Sequence, residues 1–434
     1  MSVTPSNAAP RRVVCTSMAV VSPLGDTPET FLDGLMAGRS AITQWRFFDD
    51  ARVYSKVGGD LSGYDADAAC KRLCERVPDE IGARLRKIFR GAPMSTRLSL
   101  LCAVDAWARG GLPWLAGEDA FRTAVIVGGH NLAEHYLIGN FRQFQEEPDW
   151  IDAHAALLTL DTDHAGSVSE VLGTRGAQYT VGGACASSNV ALRCAADEIR
   201  HHGHDRVIVV GPTFEFSPMG LHAMALMGAI TFQGFNDAPA KASRPYDRDR
   251  EGFVPSHGTA VLVLEALDVA QARGADIAGE LLAVVATSDG NHLPNPSTDG
   301  QARTIARTLQ QAGVAPQEVD FVCAHATSTP LGDVSELRAI RTAFGAHAER
   351  LKINAPKSML GHTCWSAPAV ETVAALGQMR RGRLHPSINI DTLDPAVDLD
   401  VCADGPVDHE VRVLLKNSFG FGGTNCCALW RHAS

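Results

Sequence analysis

The sequence has no apolar run approaching the ~20 residues that a membrane-spanning helix needs, which argues against a membrane protein. Its first residues, with Pro5, Pro10 and the pair Arg11-Arg12, carry neither a long apolar segment nor a small-residue cleavage site. Residues 1–10 are therefore expected to be a loose tail and not a signal peptide. Basic charge is also short: 39 lysines and arginines against 49 acidic residues leave a net charge of −10, the wrong sign for a nucleic-acid binder. An acidic partner would need a local basic patch. Cys-x-x-Cys pairs are absent among the 11 cysteines, whose odd number fits neither a zinc site nor a disulfide framework. A reducing cytoplasm suits them, and no metal is expected. Cys70 and Cys74 stand one helical turn apart, as half of a metal site or as buried thiols, and no second pair accompanies them.

What is present is length and alternation. At 434 residues the chain exceeds one ordinary core, so two domains or two packed halves are expected. Short β-like runs (Arg12 to Val20, Thr123 to Val127, Asp205 to Val210, Ala260 to Leu264, Leu281 to Thr287, Phe321 to Ala324, Val411 to Ser418) alternate with helix-like stretches. Those stretches are Thr27 to Ala37, Met94 to Trp107, Asn189 to His202, Ala302 to Gln311, Asp333 to Phe344 and Ala369 to Arg380. This order predicts an α/β fold with parallel strands. No low-complexity linker divides it, but a repeat of topology does. A small-residue turn, a helix and a short connection run from Cys185 to Gly203 and again from His362 to Gly382.

Cys185 sits in Gly182-Gly183-Ala184-Cys185-Ala186-Ser187-Ser188, after an apolar run ending at Val181 and before a helix-like stretch. A helix starting at the cysteine would leave backbone N–H groups free to favour thiolate and to hold an oxyanion. The alternative is a buried structural thiol. His325 follows a β-like run and points to the crevice at a strand end, while His362 follows Lys357-Ser358-Met359-Leu360-Gly361 just before a helix. Either histidine alone reads equally as filler; with Cys185 they form a set. Asn417 to Asn425, rich in glycine around Phe419 and Phe421, is either a turn that exposes an N–H beside a thiol or a plain Gly-rich hairpin.

Together these segments resemble the β-ketoacyl-acyl carrier protein synthases of the elongating, thiolase-fold type. The resemblance runs over nearly the whole chain: Arg11-Arg12-Val13-Val14 to Gly25, Gly183 to Ser188, Lys241 to Asp247, Arg250 to Val254, His325 to Asp333, Lys357 to His362 and Asn417 to Asn425. It implies two pseudo-repeated halves in a five-layered αβαβα sandwich, here 11–266 with the nucleophile and 267–434 with the histidine pair. It also implies Cys185 as the acyl acceptor and an oxyanion hole at the N–H groups of Cys185 and Phe421. His325 and His362 would hold the malonyl carbonyl while carbon dioxide leaves, Lys357 and Glu371 would be an active-site ion pair, and Thr327 and Thr329 would bind pantetheine. No bound cofactor is implied, because substrates arrive on the 4′-phosphopantetheine of an acyl carrier protein. That partner is acidic in such systems, and Arg84, Arg86, Lys87 and Arg90 form the densest basic cluster that could steer it, or else a solvated helix face. A homodimer is expected by resemblance, with a heterodimer open.

Several residues depart from the family's pattern. Ala326 stands where a glycine is usual, and Thr363-Cys364-Trp365-Ser366-Ala367-Pro368 replaces a run of Gly and Ala. Ser256-His257-Gly258, Cys426-Cys427 and Gly128-Gly129-His130-Asn131 are likewise unusual. Trp365, Met224 and Phe421 are expected to shape the acyl pocket, and the departures suggest a specialised substrate in polyketide or other secondary metabolism. Malonyl-carrier decarboxylation without condensation is the alternative, although such members usually lack the cysteine. A non-catalytic chain-length partner usually loses the nucleophile as well, and a coenzyme A thiolase uses a Cys-His-Cys set that the second histidine and Lys357 speak against.

Overall fold

A computed structural model describes residues 10–48 and 51–433, so the expected tail, apart from Pro10, lies outside the described residues. Ten strands form one sheet: Val13–Val21 (β1), Thr123–Gly128 (β2), Gln178–Val181 (β3), Arg206–Gly211 (β4), Thr259–Ala266 (β5), Gly279–Ser288 (β6), Phe321–Cys323 (β7), Lys352–Asn354 (β8), Val413–Gly420 (β9) and Thr424–Arg431 (β10). Their order is β8-β7-β9-β10-β6-β1-β5-β4-β2-β3. The first five strands follow the order third, second, fourth, fifth, first, and the last five repeat it. The two sets touch edge to edge over three antiparallel pairs, Val13 with Leu281, Val14 with Glu280 and Cys15 with Gly279. In each set the third, second and fourth strands are parallel and the rest antiparallel. The sheet is thus mixed, and not parallel as the alternation suggested.

Helices Ser187–His201 and Ala367–Arg381 lie between the two sets and pack on strands of both. Helices Met94–Arg109 and Thr162–Leu172 cover the outer face of the first set, and Thr298–Ala312 that of the second, with Gly332–Phe344 packed beside it. The result is a thiolase-like sandwich of five layers, helix, sheet, helix, sheet and helix. Strand composition follows from this layering, because a strand covered on both faces needs apolar residues throughout. In β4, Val207 and Val209 enter the inner core while Ile208 and Val210 enter the outer one. Each such side chain stabilises the fold by roughly 1.5–3 kcal/mol on burial.

The elements read from sequence lie within a few residues of those observed. β3, β8 and β10 had no reading as strands. β8 has three residues, and β10 begins inside the Gly-rich segment, which proves to be the tip of a β9–β10 hairpin.

Candidate active site

The two halves carry the same local device before their central helices. A 3-10 turn over Ala184–Ala186 leads into Ser187–His201, and a second over Cys364–Ser366 leads into Ala367–Arg381. Each turn opens on a non-glycine residue at positive φ, Ala184 at 47° and Cys364 at 53°, a conformation that costs about 1–3 kcal/mol for an L side chain. Cys185 and Trp365 therefore occupy equivalent positions. The helix itself starts at Ser187, two residues before the stretch read from sequence and two residues after Cys185, so Cys185 rides on the 3-10 turn.

The β9–β10 hairpin closes on this turn. A Cβ on Gly420 would lie 2.6 Å from the Gly183 carbonyl oxygen and 3.2 Å from the Cys185 nitrogen, so only glycine allows the approach. The backbone N–H groups of Phe421 and Cys185 are consequently directed at the thiol. These donors do not prevail over desolvation: burial pushes the Cys185 thiol up to about 12, with Lys357 and the two N–H groups opposing it. The resting side chain is a thiol, where the helix-start reading had favoured thiolate. Alkylation of Cys185 by iodoacetamide, followed by mass spectrometry of its peptide, should accelerate about tenfold per pH unit up to roughly pH 9. A plateau near neutrality would mean that the thiolate is preformed.

Cys185 lies in the wall of a cavity of about 400 Å³ that also exposes His325, His362, Thr327, Thr329 and Phe421. The imidazole rings meet edge to face at 5.4 Å between centroids. His362 is held by its own backbone, donating to the Val254 carbonyl at 2.7 Å and accepting from Ser256 at 2.9 Å. Its Nδ1 accepts the Cys364 N–H at 3.2 Å, which assigns the proton to Nε2, and Nε2 is buried without a partner. Lys357 Nζ stands 3.5 Å from His325 Nδ1 and likewise leaves Nε2–H as the donor. Burial, and then Lys357, hold both imidazoles well below their usual value of 6.5, so both are neutral.

Lys357 pairs with Glu371 Oε1, and Glu371 Oε2 takes a second ammonium, Lys416 Nζ at 2.7 Å. All three groups are buried, so two ammonium groups sit behind the histidines with one carboxylate between them. Lys416 was not picked out from sequence, although a lysine inside the β-like run Val411 to Ser418 was the available signal. Glu336 also escaped notice: its carboxylate accepts the N–H groups of His325 at 2.9 Å and Ala326 at 2.8 Å, and the Asn417 side chain at 2.9 Å. It thereby fixes the histidine loop against the hairpin strand. Asp333, one turn earlier on the same helix, accepts the Ser328 N–H at 3.0 Å.

The remaining expected residues fall in three places. Thr327 and Thr329 line the cavity with their hydroxyls 3.0 Å apart, and Thr329 also caps Gly332 at 3.2 Å. Met224 and Trp365 are not among the lining residues; they pack in the apolar cluster beside Cys185. Arg84, Arg86 and Lys87 lie on helix Asp79–Phe89, with Arg90 at its end, away from the cavity lining. Arg84 pairs with Glu80 and Lys87 with Glu170, each at 3.4 Å, while Arg86 and Arg90 are exposed.

Comparison with known proteins bears on this geometry. Residues 10–270 match the β-ketoacyl synthase N-terminal domain and residues 278–391 its C-terminal domain. The chain is 34% identical to the chloroplastic 3-oxoacyl-[acyl-carrier-protein] synthase I of Arabidopsis thaliana over 96% of this chain and 85% of that one. It is 29% identical to the polyketide biosynthesis malonyl-ACP decarboxylase PksF of Bacillus subtilis over 95% of this chain and 94% of that one. Among solved structures, the ishigamide ketosynthase/chain length factor superposes with a TM-score of 0.85 at 28% identity, covering 98% of this chain and all of the other. The chain is a member of the β-ketoacyl synthase family.

Proposed function

We propose that this protein catalyses a decarboxylative Claisen condensation between an acyl group carried on Cys185 and a malonyl group on an acyl carrier protein, in polyketide or other secondary metabolism. The observation that carries this reading is the convergence on one cavity of a thiol facing two backbone N–H donors and two neutral imidazoles.

In the first stage the Cys185 sulfur attacks the incoming thioester, its negative oxygen lies against the N–H groups of Cys185 and Phe421, and the pantetheine thiol leaves with the proton. In the second, the malonyl carbonyl oxygen faces His325 and His362. The carbon–carbon bond to the carboxylate breaks, carbon dioxide departs, and its electron pair becomes an enolate held by two N–H donors. Neutral donors are suited to this role, since an imidazolium would hand over its proton and quench the nucleophile. In the third stage the enolate carbon attacks the acyl-Cys185 carbonyl and expels the cysteine sulfur, which takes up a proton again. Thr327 and Thr329 offer the pantetheine arm hydroxyls without charge.

The substrates come on the phosphopantetheine of an acidic carrier protein, steered by Arg86 and Arg90 together with Arg84 and Lys87, and no bound cofactor takes part. The halves 11–266 and 267–434 supply the nucleophile and the histidines respectively. Cytoplasmic residence accords with the free cysteines; among the described residues no helix is long and apolar enough to cross a membrane. A dimer, with itself or with a related subunit, accords with helix Glu134–Glu146, which buries none of its residues and exposes Leu137, Phe141 and Phe144.

The test supplies an acyl carrier thioester with radiolabelled malonyl carrier protein and follows carbon dioxide and product together. Carbon dioxide and a β-ketoacyl product in equal amounts are expected. Carbon dioxide with acetyl carrier protein alone would replace this reading by malonyl decarboxylation, and no product at all would point to a silent partner.

A further inference from the structure

Outside the cavity lining, in the same apolar cluster as Cys185, the structure has a wall of rings. Trp365 is 9% exposed and stacks on His130, with centroids 4.3 Å apart and planes 30° from parallel. Phe214 tilts against the indole at 5.3 Å, and Phe216 meets Phe214 edge-on at 4.9 Å. Phe216 in turn contacts Trp45 at 5.9 Å and His257 at 5.8 Å. The wall is close to the nucleophile turn at two points. The His130 ring would lie 3.3 Å from a Cβ on Gly182, three residues before Cys185, and Ser188 Oγ, three residues after it, donates to the Trp365 carbonyl at 2.7 Å.

An acyl group on Cys185 has two directions open to it. One is the cavity of about 400 Å³, which holds His325 and His362 and must admit the malonyl group and its pantetheine arm. A long chain left there would exclude the second substrate. The other is the apolar cluster in which Cys185 is itself buried, where Trp365, His130 and Phe214 are stacked ring on ring, and packed interiors do not yield space without strain. Resting on the reading of Cys185 as acyl acceptor, we propose that the Trp365–His130 stack is a chain-length stop that restricts this enzyme to short acyl groups of about two to four carbons, so that it performs a first condensation and not a late elongation.

The reaction feeding it must therefore load a short acid as a thioester, and the enzyme consuming its product must accept a short β-ketoacyl carrier thioester. The wall is built from residues on separate segments, 130, 214 and 365, so either partner of the stack can be removed without touching the thiol, the imidazoles or the ion-paired lysines.

The full-length protein is incubated with acyl-pantetheine thioesters of two, four, six and eight carbons, and mass spectrometry of the Cys185 peptide gives each acylation rate. Wild type should take acetyl and butyryl and react with octanoyl about tenfold more slowly or worse, since misfit methylenes each discriminate by such factors. Trp365→Ala should raise the octanoyl rate relative to acetyl by about tenfold. His130→Ala, which removes a half-buried ring, should shift the profile the same way and serves if the tryptophan variant fails to fold. Equal rates at all lengths in wild type, or an unchanged profile in the folded variants, would overturn the chain-length stop alone. Absence of acylation at every length in wild type and variants would overturn Cys185 as the acceptor and this inference with it.

Discussion

Replacing Cys185 by glutamine is expected to abolish condensation, by about 10,000-fold or more, while carbon dioxide release from malonyl carrier protein continues at or above the wild-type rate. The two half-reactions use different atoms. In the proposed mechanism acyl transfer uses the sulfur and the N–H groups of Cys185 and Phe421, whereas enolate formation uses only His325 and His362, which the substitution leaves in place. The glutamine amide oxygen can accept the N–H groups that otherwise meet the acyl carbonyl, so the cavity sees a neutral mimic of the acylated enzyme. Because burial and Lys357 hold both imidazoles well below 6.5, they stay neutral through the physiological range. Carbon dioxide release by Cys185→Gln should therefore show no inflection between about pH 8 and pH 6. Loss of carbon dioxide release in step with condensation would mean that the thiol takes part in forming the enolate. An inflection near pH 6.5 would mean that a histidine titrates like a solvated one.

The legible part of this site was the part carried by unusual residues in short motifs. Cys185 between small residues, His325 at a strand end and Lys357 before His362 announce themselves because their neighbours are turn formers and their chemistry is distinctive. The doubled sheet was half visible: the repeat of turn, helix and connection could be read, but not the shared strand order, because β3 and β8 span only four and three residues. Both readings of the Gly-rich segment prove right at once, since a hairpin whose tip packs on the elbow presents Phe421 beside the thiol. Lys416 and Glu336 were hidden for a physical reason. Their role is to neutralise or tether other groups across long sequence separations, and such pairing leaves no local pattern. Trp365 and His130 both stand out in sequence as departures from the family's pattern, but that their rings stack at 4.3 Å is visible only in the fold.

Glu371→Gln should be the most destabilising single substitution in the site, costing about 3–5 kcal/mol, a large share of the roughly 5–15 kcal/mol that holds a protein folded. The carboxylate stands between Lys357 and Lys416, and the three residues are each no more than 1% exposed. Removing its charge leaves two ammonium groups close together, with Glu336, already engaged by three N–H donors, as the remaining buried carboxylate near Lys416. Lys416→Met should cost much less, because Glu371 keeps Lys357 as its partner and a long apolar side chain fills the space. In the Lys416→Met background, Glu371→Gln then strands one cation instead of two, and its penalty should shrink by about 1 kcal/mol or more, read from urea midpoints of the four proteins. The opposite result is equally informative: if Glu371→Gln were as stable as wild type, at least one lysine would have to be neutral in the native state. Were that lysine Lys357, burial and Lys416 would be what keeps His325 and His362 unprotonated, and removing Lys357 would leave their titration unchanged.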